Sequence, residues 1–202
     1  MTLDDLRGRA VVVTEPLAAL AERSGISPNQ TSLLSLLFAA AGALAYYISA
    51  ERPLALYVAA LMVILNAAFD AIDGALARRT GRAHPRGDFL DHIIDRYADM
   101  FILTGIILGG YVSSILGVFA VMGVLLTSYV GTQAQALNVG RFYGGVMGRA
   151  DRLTLIFLAT VANAFYVKGI AGLEILGWAV VLITVASHIT AIQRIFHIWK
   201  KL

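Results

Sequence analysis

Apolar residues run in long blocks along this chain, and the few charges fall between them. Over the first 24 residues, Leu3, Leu6, Ala10, Val13, Leu17 and Leu20 recur at alternating spacings of three and four, lining one helix face. Asp4, Asp5, Arg7, Arg9, Glu15, Glu22 and Arg23 lie mostly off that stripe. The pattern predicts an amphipathic helix over residues 1–26 lying on a membrane surface. Packing of that face on another protein surface is the alternative. Pro16 is expected to kink or split it. Ser27-Pro28-Asn29-Gln30 reads as a helix start, with Ser27 as cap, Pro28 at the first position and Gln30 closing a capping box. Six apolar segments follow, at 30–50, 53–77, 88–111, 114–137, 151–168 and 172–196. Each is long enough to cross about 30 Å of hydrocarbon at about 1.5 Å per residue. The expected fold is all-α and integral to the membrane: six transmembrane helices in residues 27–202, preceded by the surface helix. The whole chain, 1–202, reads as one domain, with no repeat or linker.

Composition agrees. A hydrophobic content of 58% and a mean hydropathy of +0.75 disfavour a soluble helical protein. With no cysteine, thiol chemistry and disulfides are excluded. The first 30 residues lack an apolar stretch followed by small residues, so no cleaved leader is expected. Six crossings put both termini on one side. Arg7, Arg9, Arg23, Arg78, Arg79, Arg82, Arg86, Arg141, Arg149, Arg152, Arg194, Lys200 and Lys201 share that side, with Arg96 near it; the opposite connections hold Arg52 and Lys168. The crowded face is therefore assigned to the cytoplasm, at the plasma membrane. Tyr46, Tyr47, Tyr57, Trp178 and Trp199 suit interfacial belts, and Gly105-x3-Gly109 would let two helices approach closely. The basic residues lack interleaved aromatics, so no nucleic-acid partner is expected. His84, His92, His188 and His197 show no zinc-like spacing, though His92 adjoins Asp91.

The costliest side chains lie where one apolar run ends and the next begins. On helices, Asp70, Asp73, Gly74 and Ala77 share a face, and Gly87, Asp91 and Asp95 form a second stripe. Two helices joined by a short basic loop would aim four carboxylates at one point. An unpaired carboxylate at the centre of a membrane helix costs about 2.5 kcal/mol or more. Ion pairs with Arg78, Arg79 and Arg96 are one remedy, but they give the glycines no role. A multivalent cation among the carboxylates is the other, and oxygen-only ligands favour Mg²⁺ or Mn²⁺ over Zn²⁺. A diphosphate bridged between metals is the natural occupant of such a pocket. Asp88 reads as a charge at a helix N-terminus and Asp99 as a partner for an arginine. Transport is the competing class, but it calls for acidic residues along a whole crossing path, and only Glu51 and Glu174 lie at the far side.

The spacing Asp70-x2-Asp73-Gly74-x2-Ala77-Arg78-x8-Gly87-x3-Asp91-x3-Asp95 resembles the motif of the CDP-alcohol phosphotransferases, with every fixed position present. The resemblance implies transfer of a phosphatidyl-type group from a CDP-linked lipid to an alcohol, releasing CMP. It implies Asp70, Asp73 and Asp91 as metal ligands and Asp95 as ligand or catalytic base, with two Mg²⁺ or Mn²⁺ ions per site. Asp73, Gly74, Ala77, Arg78 and Gly87 would line the cytidine diphosphate, and a homodimer is expected. From charge alone, Arg149, Arg152 and Arg194 suit either an acceptor phosphate or positive-inside topology and lipid headgroups. The stretches GRADRL and TAIQR are similar to the inositol-phosphate-using branch, which implies a phosphorylated acceptor, L-myo-inositol 1-phosphate. Glycerol 3-phosphate is the alternative. Bacterial members carry a lysine after a Ser-Tyr pair, where this chain has Gly131, so Gln133, Gln135 or Arg141 would supply polar contacts instead.

Overall fold

The computed structural model describes residues 7–82, 84–140, 144–166 and 168–202, with side chains from Thr14 onward. Seven helices make up the fold among the described residues: α1 (Arg7–Arg23), α2 (Pro28–Ser49), α3 (Ala55–Arg79), α4 (Pro85–Leu108), α5 (Ser114–Ala136), α6 (Arg149–Phe165) and α7 (Ile175–Trp199). No strand occurs among those residues, and an isolated bridge joins Ile170 to Leu173. They form two compact units, Leu6–Gly109 and Gly110–Leu202.

In the first unit, α2 starts where its sequence says it should. The backbone N–H of Ser27 donates to Gln30 Oε1 at 2.8 Å, and the Ser27 hydroxyl accepts from the Gln30 N–H at 3.4 Å. Its buried stripe is small or polar: Ser35, Ala39, Gly42, Tyr46 and Ser49. On α3, Leu56, Ala59, Val63 and Asn66 are buried, and the Asn66 amide donates to the Ser35 carbonyl at 2.9 Å. Helix α4 buries Ile94, Ala98, Ile102, Gly105 and Ile106. The small residues among these, Ser35, Ala39, Gly42, Ala59, Ala98 and Gly105, let helix backbones come close, the packing mode of helices in lipid. Gly105 is the tightest case. A Cβ there would stand 2.5 Å from Ala43 Cα, so the glycine serves an approach of α4 to α2 within the chain, while Gly109 caps α4.

Helix α1 runs through Pro16 without splitting. Ala18 is buried against Ile72, Ala75 and Leu76 of α3, with Ala21 beside it. Arg79 fastens the two helices, its Nε on Glu22 at 2.5 Å and its NH1 on Glu15 at 3.5 Å. Leu17 and Leu20 of the predicted stripe face outward. The helix therefore packs on this chain through alanines.

In the second unit, α5 and α6 both pack on α7. The Thr127 hydroxyl reaches the carbonyl of Ser187 at 2.8 Å, and His188 Nε2 lies 3.1 Å from the Phe119 carbonyl. At the α6–α7 connection, buried Asn163 holds Glu174 and the backbone N–H of Leu176.

The outer surface is apolar. Leu33, Leu37 and Leu44 on α2, Leu61 and Ile64 on α3, Val118 and Met122 on α5, and Leu182, Val185 and Ile189 on α7 are all exposed, at helical spacing. Apolar residues outside, with serine, threonine, asparagine and glycine inside, suit a lipid solvent. Helices α2, α3, α5 and α7 are long and apolar enough to span a membrane, and the protein is a multi-pass membrane protein. Helix α4 carries too many charges in its first half to qualify on hydropathy, and α6 has 17 residues. Tyr46 departs from the expected interfacial belt: it is wholly buried against its neighbours, whereas Tyr47, Tyr57, Trp178 and Trp199 are exposed.

Candidate active site

The conspicuous chemistry of the first unit lies where the end of α3 meets the start of α4. Leucine and alanine carry α3 as far as Leu76, and Arg78 and Arg79 close it at its negative end, where cations are favoured. A five-residue connection, 80–84, turns the chain, and His84 caps α4 by accepting the Gly87 N–H at 3.0 Å. Asp88 sits in the first turn of α4, as its spacing suggested. Carboxylate oxygens of Asp70, Asp73 and Asp91 all lie within 4.8 Å of one another. Ligand atoms of Asp91, His92 and Asp95 form a second group within the same limit, so Asp91 belongs to both.

Burial makes this arrangement expensive without a cation. Asp73 is 6% exposed, and Asp70, Asp91 and Asp95 are partly buried. At an effective dielectric near 20, two carboxylates about 4.8 Å apart repel by roughly 3.5 kcal/mol. The Ser32 hydroxyl donates to Asp73 Oδ2 at 2.6 Å, and Arg96 NH2 donates to Asp95 Oδ2 at 3.2 Å. Arg79 pairs with Glu15 and Glu22 instead, and Arg96 pairs with Asp95. The all-oxygen group of Asp70, Asp73 and Asp91, on two helices, fits a hard divalent cation, whereas the second group includes a nitrogen of His92 and is not all-oxygen.

The glycines are not required by packing. A Cβ on Gly87 would stand 3.5 Å from a ring carbon of His84, an ordinary contact. On Gly74 it would meet the flexible end of Arg78 at 3.3 Å. Ala77 is half-buried and Arg78 exposed. The sequence-predicted aspartates thus gather as two groups sharing Asp91, with Asp95 outside the group of Asp70 and Asp73. Ser32 and the place of His92 were missed. His92 had a signal in its adjacency to Asp91. Ser32 had none, because its contact spans 41 residues.

The remaining predicted residues lie in the second unit. Arg152 is 3% exposed and Arg194 9%, while Arg149 is half-buried. Arg194 donates from Nε to the Gly144 carbonyl at 3.0 Å and from NH1 to the Thr127 carbonyl at 2.9 Å. A Cβ on Gly131 would be 3.2 Å from that NH1, so Arg194 lies against Gly131. Gln133 donates to the Tyr129 hydroxyl at 2.6 Å; both it and Gln135 are exposed. Arg141 lies outside the described residues.

Residues 26–190 match the CDP-alcohol phosphatidyltransferase family. The chain is 33% identical over 178 residues to an archaetidylinositol phosphate synthase of Pyrococcus horikoshii, covering 88% of this chain and 86% of that one. Its fold is similar to crystal structures of the Mycobacterium tuberculosis phosphatidylinositol phosphate synthase. The form with CDP-DAG bound gives a TM-score of 0.77 at 26% identity, covering 93% of this chain and 94% of that one. The complex with manganese and citrate also gives 0.77 at 26% identity, covering 92% and 88%. Because the sequence match runs through both aspartate-bearing helices and the shared fold takes in nearly the whole chain, the protein belongs to the CDP-alcohol phosphatidyltransferase family and is one of its membrane-embedded transferases.

Proposed function

We propose that the protein transfers a phosphatidyl or archaetidyl group from a CDP-linked lipid to L-myo-inositol 1-phosphate, releasing CMP. The observation that carries this reading is the meeting of carboxylate oxygens of Asp70, Asp73 and Asp91 within 4.8 Å of one another, where the end of α3 meets the start of α4. Asp70, Asp73, Asp91 and Asp95 hold Mg²⁺ or Mn²⁺, two ions per site. Bound there, the ions neutralise diphosphate oxygens and ease departure of the phosphate leaving group. Gly74 and Gly87, neither of which packing within the chain requires, admit the cytidine diphosphate beside Asp73, Ala77 and Arg78. Asp95 takes the proton of the acceptor hydroxyl. The acceptor oxygen bonds to the lipid-side phosphorus, the bond from that phosphorus to the CMP oxygen breaks, and CMP leaves with the electron pair.

Arg149, Arg152 and Arg194 hold the acceptor's phosphate, with polar help from Gln133, Gln135 and Arg141. The supporting argument is electrostatic. Arg149 and Arg152 both occupy the first turn of α6, the positive end of its dipole, where an anion is favoured. Guanidinium forks suit phosphate. The similarity to an archaetidylinositol phosphate synthase and a phosphatidylinositol phosphate synthase favours an inositol phosphate acceptor.

The rest of the reading concerns the membrane. Helices α4 and α6 cross it as well, giving six spans, with both termini and the site on the cytoplasmic face. Exposed Leu17 and Leu20 dip α1 into the interface. The enzyme works as a homodimer with one site per subunit.

Purified protein, a CDP-lipid and a divalent cation, offered inositol 1-phosphate, glycerol 3-phosphate, serine or free inositol, test the acceptor. Metal-dependent CMP release with inositol 1-phosphate is expected. Reaction with glycerol 3-phosphate alone would overturn the acceptor assignment, and no release with any alcohol would reopen the transport reading. Asp95→Asn should lower kcat by about a hundredfold or more, and near-normal turnover would remove Asp95 from the chemistry.

A further inference from the structure

The segment that leads Arg149 and Arg152 into α6 meets α7 at the hydroxyl of Thr190. Thr190 is fully buried. Its Oγ1 donates to the Ala186 carbonyl at 2.7 Å, the local bond a threonine makes inside its own helix. The same oxygen accepts the backbone N–H groups of Val146 and Met147, each at 3.1 Å. One donor and two lone pairs are the whole capacity of a hydroxyl, and all are used. Thr184, six residues earlier on α7, makes the local bond to Val180 at 2.7 Å, so helix formation alone does not call for the two loop contacts.

Shape reinforces the hydrogen bonds. The Thr190 methyl fills the space that a Cβ on residue 145 would need, and Gly145 has φ of +141°, a conformation side chains rarely adopt. One turn along, Arg194 Nε holds the Gly144 carbonyl at 3.0 Å. Residues 144–147 are therefore tied to two consecutive turns of α7. Gly148 alone separates them from Arg149; its N–H goes to Asp151 at 2.8 Å and its carbonyl receives the Arg152 N–H at 3.2 Å. A shift of this segment carries the first turn of α6, and both arginines, with it.

We propose that Thr190 is a positioning residue for the acceptor's phosphate: by seating residues 144–147 on α7 it places the guanidinium groups of Arg149 and Arg152, without touching the acceptor. This rests on the reading of those arginines as phosphate ligands. Thr190→Val keeps the shape and removes the hydroxyl, whereas Thr190→Ser keeps the hydroxyl. The assay is CMP release by the full chain in lipid vesicles, with CDP-lipid and inositol 1-phosphate varied in turn at saturating Mn²⁺. For Thr190→Val the acceptor KM should rise about tenfold, with kcat and the CDP-lipid KM within about twofold of wild type. Thr190→Ser should stay within about twofold on all three.

An unchanged acceptor KM in Thr190→Val, a parallel rise in the CDP-lipid KM, or equal impairment of Thr190→Ser overturns the proposal. Should Thr190→Val fail to fold, Gly145→Ala pushes the same segment off α7 while leaving the hydroxyl intact. It should show the same selective rise, and an unchanged acceptor KM in it overturns the proposal equally. Arg149→Ala and Arg152→Ala run alongside. If they leave the acceptor KM unchanged, the phosphate reading fails and takes this inference with it. If they raise it while Thr190→Val does not, Thr190 alone is wrongly assigned.

Discussion

Asp73 is the most buried of the four motif aspartates, and Ser32 is the neighbour that holds it, through a 2.6 Å bond from a hydroxyl that is itself buried. A hydrogen bond to a charged acceptor is among the stronger ones, and it fixes which way the carboxylate faces. Under the proposed function Ser32 thereby orients a metal ligand. Ser32→Ala should raise the Mn²⁺ concentration for half-maximal rate about tenfold and weaken Mn²⁺ binding, followed by electron paramagnetic resonance, by a similar factor. Unchanged binding would show that Asp73 keeps its orientation without the serine. The contrast between these two residues shows what sequence can carry. Asp70, Asp73, Asp91 and Asp95 were legible because helical spacing converts sequence intervals into faces. Ser32 was not, since its partner is set by the register of α2 on α3, and no interval along the chain encodes that register. His92 falls between: its adjacency to Asp91 was visible, but only the turn of α4 shows that it joins Asp95 in one group.

Among elements, the packing of α4 on α2 turns on one missing side chain. Gly105 was legible as a residue that permits close approach, and its partner was not. The structure supplies that partner in the Ala43 backbone, where both Cα and carbonyl oxygen lie within 2.6 Å of a would-be Cβ. Backbone atoms have nowhere to go, so Gly105→Val should destabilise the fold by about 1–3 kcal/mol or more. Its thermal midpoint in detergent should fall clearly below wild type. Arg79→Ala is the useful comparison. Arg79 joins α1 to α3, but Arg79, Glu15 and Glu22 are each more than 40% exposed and screened by solvent, so its loss should lower the thermal midpoint far less than Gly105→Val does. If Arg79→Ala proved the more damaging, α1 would be held by charge rather than by Ala18 against Ile72, Ala75 and Leu76. The outline of these helices was readable from apolar runs and the Ser27 cap. The inward face of α1 was not, because alanine gives a weak hydrophobic signal beside the leucines that the helix turns outward.

For the whole molecule, six spans require that α4 and α6 cross the bilayer with the four apolar helices. Hydropathy undercounts α4 because its first 15 residues bear Arg86, Asp88, Asp91, Asp95, Arg96 and Asp99, yet its 24 residues extend about 36 Å, and everything from Met100 to Leu108 is uncharged. Helix α6 has 17 residues, about 26 Å, with its charges confined to the first turn. Basic residues also favour six spans, since that count places nearly all arginines on one side. The two counts make opposite forecasts at the ends of α5. With six spans, Ser114 lies outside the cell and Ala136 faces the cytoplasm; if α4 and α6 stay on one side, those positions exchange. Both residues are exposed, and the chain has no cysteine of its own, so a single introduced thiol reports without background. A membrane-impermeant maleimide applied to intact cells should label Ser114→Cys at once and Ala136→Cys only after permeabilisation. Arg82→Cys should behave like Ala136→Cys, and Glu51→Cys and Lys168→Cys like Ser114→Cys. Labelling of Ala136→Cys in intact cells, with Ser114→Cys protected, would leave the carboxylate helix α4 lying along the surface and remove the intramembrane setting that makes a cation among its aspartates necessary.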